Sequence, residues 1–557
     1  MKSSRSLWRP ALLLATSLFW PGALAAQFSD PPAPAAYALQ NVTVVQADGT
    51  RMDSVTLVIR RGLIVAMSRG AEVPADAELL EGDSLFVYPG LVDAQGEADY
   101  EFPEIEIDRS EFGSWDPPRY AQSFMPSRLV VNHLTATGED VGDQRRSGVV
   151  AAALVPGERL MPGSGTALVF RTDAESPAQL VAKPVTGPAM YFRGAQGGYP
   201  GTLFAVIAFY RQTFEDARHH QTHVEAFQRG AQGVMPPTND PDLDIMIGLM
   251  NGSQPAYFGV DLARDIQRVL ALAREYGFRP VIVGGEEAWK VADELKAANV
   301  PVLVSLDFPE PERWKPEEEG TNGDDELDAA TWREKQRLEE IYSNAGRLTA
   351  AGVTIALTSG GGDADLLEGA RKAIEYGLSE AAALRALTTT PAGMFGLERL
   401  IRIEGGRPAT FIVASGPLFA EDTEIRYTFV EGGLEKGKEK RGAGGDAPAV
   451  DVTGTWDITI DAEGQSIAAK MTVTQDGADF DGSMTTPFGE AKVQDGVVSG
   501  SSISFSIIFQ MGGESMEVTA EGSVEGDEAS GSGESPDGSF TWQAKRTAGG
   551  PGEEMGR

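Results

Sequence analysis

The strongest constraint in this chain is an alternation that runs from residue 88 to about residue 396. Short apolar runs, "GVVAAALVP", "PAYFGVD", "RPVIVGG", "VPVLVSL" and "VTIALTSG", are separated by longer stretches. Two of these, "DLARDIQRVLALAREYG" and "EAWKVADELKAAN", carry apolar residues at helical spacing. Strand and helix in repetition call for parallel βαβ units, because a parallel strand can be reached only by a crossover long enough to hold a helix. Several such units in some 300 residues predict an α/β fold of the (β/α)8, TIM-type barrel class.

The flanks read differently. Before the alternation, "LQNVTVVQADGTRMDSVTLVIRRGLIVAMS" gives two β-branched runs around an "ADG" turn, a small antiparallel sheet. "VYPGLVDA" follows as a near-continuous apolar strand. After the barrel, "IRIEGGRPATFIVASG" and "EIRYTFVEGG" return to strands. The expected division is therefore a small β-sandwich from 37–87 plus 397–431, a barrel over 88–396, a Gly/Lys/Glu-rich linker over 432–450, and a separate antiparallel β-barrel or sandwich over 451–547.

Residues 1–26 stand apart. Lys2, Arg5 and Arg9 precede the short apolar run "ALLLATSLFW", and "ALA" ends the segment. This is the pattern of a cleaved secretory signal peptide, so the expectation is an exported protein, periplasmic or extracellular, with no membrane span. The chain has no cysteine, which removes disulfides, thiolate catalysis and Cys-ligated metals. It carries 82 acidic and 47 basic residues, a net charge of −35. Such a surface repels nucleic acid and anionic lipid and leaves a small molecule as the expected partner.

With these parts in order, residues 37 to about 435 resemble the amidohydrolase superfamily, in its imidazolonepropionase-like and dihydroorotase-like branch. "TLVIRRGLIVAMS" is similar to that family's opening sheet. "VYPGLVDAQGE" stands in the place of its P-G-[LF]-[IV]-D-x-H-x-H strand, and "ALTTTPAGMFGLERLIRIEGGRPATFIV" resembles its closing helix and return strand. The resemblance implies hydrolysis of non-peptide C–N bonds in cyclic amides or amidines. One or two divalent ions (Zn, Mn or Mg) at the C-terminal ends of the barrel strands would activate the water. It also implies ligands: two histidines after the first strand, a lysine or glutamate, two histidines on middle strands and a final aspartate.

This chain departs from nearly all of them. The first pair is Gln95 and Glu97, Gly259 and Gly284 follow the middle strands, and Ser359 and Gly360 stand where the last aspartate should be. No metal is therefore expected, and the centre is read as degenerate or altered, a pseudoenzyme candidate. Oxygen donors remain in place after the strands: Glu97, Asp261, Glu286, Asp307 and Asp363. Carboxylates without imidazole suit Mg²⁺, Ca²⁺ or Mn²⁺ better than Zn²⁺. The candidate mouth residues are thus Gln95, Glu97, Asp261, Glu286, Asp307, Ser359 and Asp363, and the open alternatives are an altered hydrolase and a non-catalytic binding protein.

The remaining motifs are bland or local. His219 and His223 share a helix face in "ARHHQTHVEAF", but His220 occupies the position of a catalytic glutamate, so a solvent-facing helix is expected. His133 in "RLVVNHL" reads as a buried, satisfied histidine. The acidic loop 307–332 is long for a βα connection; Trp314 and Trp332 either cap the mouth or belong to a solvated insertion. In the last segment, "GTWDITI" resembles the opening of calycin-like (lipocalin-type) barrels. That likeness implies that Arg546 packs on the indole of Trp456, and that Ile458, Ile460, Met471, Val473, Phe505, Ile507 and Phe509 fill the interior.

Overall fold

The computed structural model describes residues 36–548 apart from 81–83, 109, 111, 114–116, 158, 196–197, 310, 312–313, 315–327, 363, 438–447, 463–464, 488, 512–513 and 536–537. Residues 1–35, which include the stretch read as a signal peptide, Asp363 and most of the linker stretch therefore lie outside the described residues.

The chain opens with β1 (Ala36–Val45), β2 (Arg51–Arg60), β3 (Leu63–Ser68), β4 (Ala77–Leu80) and β5 (Phe86–Pro89). The barrel strands follow: β6 (Leu91–Asp93), β7 (Val149–Leu154), β8 (Thr166–Val169), β9 (Val181–Lys183), β10 (Ala189–Tyr191), β11 (Ala256–Val260), β12 (Pro280–Gly284), β13 (Val302–Ser305) and β14 (Ile355–Thr358). Then β15 (Phe411–Ala414), β16 (Ile425–Val430) and β17 (Gly433–Lys436) rejoin the first sheet, in the order β17-β16-β15-β5-β1-β2-β3 with β4 beside β1.

Two sequence expectations are corrected here. "VYPGLVDA" is not one strand. Tyr88 and Pro89 pair with Ile412 and Phe411 in the small sheet, and the barrel strand starts at Leu91. Pro89 has no N–H with which to carry a ladder onward, so the run breaks there and changes sheets. Likewise Gly433–Lys436, inside the expected linker, is a strand paired residue by residue with Val430 to Tyr427. Its alternating contacts with β16 hold it despite a composition without apolar periodicity.

The barrel also departs from a regular (β/α)8. β10 to β14 form a five-stranded parallel sheet, and β6 and β7 form a parallel pair. Between these sets runs β8, antiparallel to β7, and its start bridges to β10 through Ser164 and Pro188. Among the nine strands named, β8 is the one antiparallel to its partners, β7 on one side and β9 on the other. The cause is local: β7 and β8 are joined by a loop without a helix, and a strand reached without a crossover comes back antiparallel.

The interior shows closure. Val92, Ala151, Ala153, Ala167, Val169, Tyr257, Val283, Leu303 and Ala356, from across these strands, form one buried cluster. Phe395, Leu400 and Ile401 plug its N-terminal end. Helices such as Ala263–Tyr276 cover the outside, burying Ile266, Val269, Leu270, Leu272 and Ala273 against the sheet.

Residues 454–548 form a closed barrel of eight antiparallel strands. Its first strand, Gly454–Ala462, pairs with its last, Gly538–Ala548, with Trp456 opposite Arg546. The Arg546 guanidinium lies 4.4 Å from the Trp456 ring centroid and donates to Thr453 O at 2.6 Å and Asp451 O at 2.5 Å. The indole Nε1 donates to Val452 O at 2.8 Å. Ile458, Met471, Val473, Phe505 and Ile507 are buried inside; the Phe509 side chain lies outside the described residues. Phe480, Phe505 and Trp542 stack edge to face or tilted across the interior.

Candidate functional site

The C-terminal ends of the barrel strands meet around a cleft of about 570 Å³. Gln95, Glu97, Asp99 and Tyr100 after β6, Val155 and Gly157 after β7, Tyr191 and Arg193 at β10, and Gly360 and Gly361 after β14 form its walls. Two of the candidates read from the sequence, Gln95 and Glu97, are therefore at the mouth together.

Asp93 ties the end of β6 to the end of β14 beneath the mouth, a role that the strand motif around it does not reveal. It is 4 % exposed at the end of β6, and Thr358 at the end of β14 is fully buried. Thr358 Oγ1 lies 2.6 Å from Asp93 Oδ1 and 2.7 Å from Gln95 O, and accepts the Gly360 N–H at 3.1 Å. Asp93 also accepts the backbone N–H of Gln95 at 3.0 Å and of Ser359 at 3.2 Å. One hydroxyl carries one proton, so Thr358 cannot fully satisfy both oxygens while Asp93 is ionised. Burial raises the Asp93 pKa against the opposing pull of these hydrogen bonds. With the carboxyl protonated, it donates to Thr358 and Thr358 donates to Gln95 O. Ser359 belongs to this seam: it is 5 % exposed, and its Oγ lies 3.3 Å from Gln95 O.

The positions at which the resemblance implies imidazoles are occupied. A Cβ on Gly259 would lie 2.2 Å from Cε1 of Tyr191, whose ring covers β11 at that point. Tyr191 is fixed there: its hydroxyl donates to Pro156 O at 3.1 Å, and its N–H donates at 3.2 Å to the hydroxyl of the buried Tyr210, which in turn lies 2.6 Å from Leu160 O. At Gly284 the backbone has φ +89°, a region that strains any residue with a Cβ, and that Cβ would lie 2.3 Å from Asp261 Oδ1. The Gly285 N–H is bonded to Val260 O at 2.9 Å, and the Asp261 carboxylate lies beside this turn, where the Gly285 and Glu286 amides favour its charged form.

The carboxylates after β11 and β12 form a pair. Burial raises the Asp261 pKa, while the Gly285 and Glu286 amides and the Arg193 charge draw it back. Burial also raises Glu286, and the Asp261 charge adds to this while Arg337 opposes it. Asp307 stays at the exposed rim, its N–H donating to Ser305 Oγ at 3.1 Å. Asp363 lies outside the described residues. Among the described residues no three His, Asp or Glu side chains converge to hold a metal ion. With glycines at two of the imidazole positions and their space filled, the mouth does not fit the metal that the resemblance implies.

The other motifs lie elsewhere. Trp314 does not cap the mouth: it is 2 % exposed and packs with Leu338, Ile341 and Tyr342 beside the barrel. Trp332 sits on the helix Ala329–Tyr342, which begins within the stretch read as a loop. Asp328, at the end of the acidic run, sets that boundary: its carboxylate caps the helix, accepting the N–H groups of Ala330 at 2.7 Å and Thr331 at 3.0 Å. His219 and His223 lie on the helix Leu203–Gln228, where His223 Nε2 is 2.9 Å from Met235 O. His133 is half-buried rather than buried as the sequence suggests; it follows the short turn Val130–Asn132 and lies edge-on to Phe102 at 5.2 Å.

Sequence reasoning missed Tyr191 and Arg193. The signal was the short apolar run "PAMYFRG", bounded by glycines, which is a strand that ends at the mouth.

No family model and no curated protein matches the sequence. Among solved structures the chain is similar to an amidohydrolase from Thermotoga maritima MSB8, at 22 % identity and a TM-score of 0.57, over 72 % of this chain and 99 % of that one. The two share a fold. Looser likenesses, whose TM-scores carry no argument, include a prolidase complexed with N-methylphosphonate-L-proline (14 % identity, TM-score 0.42, 72 % of this chain and 100 % of that one). Another is an adenosine deaminase from Xanthomonas campestris with bound zinc (13 % identity, TM-score 0.38, 73 % and 94 %).

Proposed function

We propose that this chain is an exported protein with an amidohydrolase-type fold whose barrel mouth binds a small polar molecule and no longer supports metal-assisted hydrolysis. The observation that carries the reading is the Tyr191 ring over Gly259. A centre that had only lost its ligands would leave holes where imidazoles stood. Here the hole is filled by a side chain with its own hydrogen bonds, so the pocket has been rebuilt around another use. Glu97, Asp99, Tyr100, Tyr191 and Arg193 give the cleft charges of both signs beside two aromatic rings. Such walls orient a compact polar ligand. The signal segment supplies the export. The likeness of "GTW" and Arg546 to calycin-like barrels makes the last domain a second candidate binding module.

One observation favours a second reading, an altered hydrolase. Asp261 and Glu286 stand at adjacent strand ends, and both hold their protons more tightly than usual. Raised carboxyls beside a cleft are the material of general acid–base catalysis.

Elemental analysis of the purified mature protein, combined with assays of cyclic amides and amidines with and without added Zn²⁺, Mn²⁺ or Mg²⁺, separates the two. The binding reading expects far less than one divalent ion per chain and no turnover under any condition. One tightly held ion per chain, or turnover that Glu286→Gln abolishes, overturns it and establishes the hydrolase.

A further inference from the structure

The opposite end of the barrel holds a larger concavity that the mouth does not explain. It lies by the N-terminal ends of β11 and β12, between the helices Ala263–Tyr276 and Ala292–Ala298, and encloses about 850 Å³. Leu270, Phe278, Val281, Val300 and Met394 make its walls largely apolar.

Two polar groups at this concavity lack partners. Tyr257, 1 % exposed, borders it with its ring stacked on Phe395 at 6.5 Å. Among the described residues its hydroxyl makes no hydrogen bond, and burial alone drives its pKa up. A buried phenol ordinarily finds a partner. At the rim, Arg274 has neither a hydrogen bond nor an ion pair among the described residues. Its neighbours are engaged: Arg279 donates to Gly252 O at 2.6 Å, and Glu294 accepts from Gln267 at 2.7 Å.

We propose that this concavity binds an apolar carboxylic acid bearing a second hydrogen-bonding atom. The carboxylate pairs with Arg274 at the rim, the apolar body lies on Leu270, Phe278 and Met394, and the far polar atom meets the Tyr257 hydroxyl. The guanidinium fork suits a carboxylate, and the hydroxyl needs a partner that no described protein atom supplies.

The test uses the full mature chain and 6-hydroxy-2-naphthoate as probe, with 2-naphthoate lacking the far hydroxyl and 6-hydroxy-2-naphthamide lacking the charge, all by calorimetric titration. Saturable one-to-one binding of the hydroxynaphthoate is expected, weakened about tenfold by Arg274→Ala or by the amide, as a charged hydrogen bond predicts. Tyr257→Phe keeps the ring and should weaken the hydroxynaphthoate while leaving 2-naphthoate unchanged. Ala298→Trp, at an exposed wall position, should block both. No saturable binding, or binding indifferent to both Arg274→Ala and Ala298→Trp, overturns the proposal.

Discussion

Tyr191 and Gly259 are far apart in sequence, yet each decides what the other can be. A methyl group at 259 would meet the ring at well under contact distance, so Gly259→Ala should destabilise the chain by about 1–3 kcal/mol, the usual cost of overpacking. In a Tyr191→Ala background the same change should cost less than half as much. Urea titrations of the four proteins check this; equal costs in both backgrounds would show that the ring is not the obstacle. Asp93 gives a pH signature. Its folded pKa lies above the ordinary 3.8, so the folded chain binds the proton more tightly than the unfolded chain. Stability contributed by Asp93 is therefore greatest at low pH and falls as pH rises from that ordinary value through the folded pKa. Asp93→Asn removes the slope. The stability of the parent relative to the variant should decline as pH rises, by about 1.4 kcal/mol for every pH unit that separates the folded pKa from the ordinary one. A difference that stays constant between pH 4 and pH 8 would mean Asp93 is ionised throughout. Gln95 and Glu97 were legible because a strand motif brackets them. Tyr191 and Thr358 were not, because their meaning lies in side chains they touch across the barrel.

Among the elements, the strand that opens the last barrel and the strand that ends it meet at Trp456 and Arg546. The guanidinium covers the indole and ties two carbonyls of the approach to the first strand. Arg546→Ala should lower the stability of this barrel by about 1–3 kcal/mol, combining a lost cation–π contact with the loss of a charged donor to two carbonyls. Arg546→Lys should recover only part, since an ammonium has no planar face to stack. The barrel's transition in a urea titration of the full chain, followed by tryptophan fluorescence, reads both; full recovery by lysine would reduce the contact to simple charge. The parallel strands β7 and β11 to β14 were legible from their apolar runs. β8 was not, because four residues, "TALV", read the same in either direction. β17 was hidden for the opposite reason: "GLEK" has no apolar pattern and is a strand only because β16 lies beside it.

At the scale of the whole molecule, the small sheet and α/β barrel are built from interleaved segments, whereas the eight-stranded barrel is continuous from Gly454 to Ala548. Mild proteolysis should therefore cut first between Lys436 and Val450, where the Gly/Lys/Glu-rich stretch offers backbone without apolar anchors. A fragment near residues 451–547 should survive. Early cuts within that fragment, with 437–449 intact, would disprove the division. The apolar runs of β7 and β11 to β14, the acidic surface and the absence of thiols are legible in composition and periodicity, which act over a few residues, while the meaning of Gln95 and Glu97 came from the resemblance of their strand motif. The antiparallel stave, the seam of Asp93 and Thr358, and the Tyr191 ring over Gly259 were decided only by the tertiary structure. Each is a contact between segments distant in sequence, and close packing lets one side chain claim the space that another position would need.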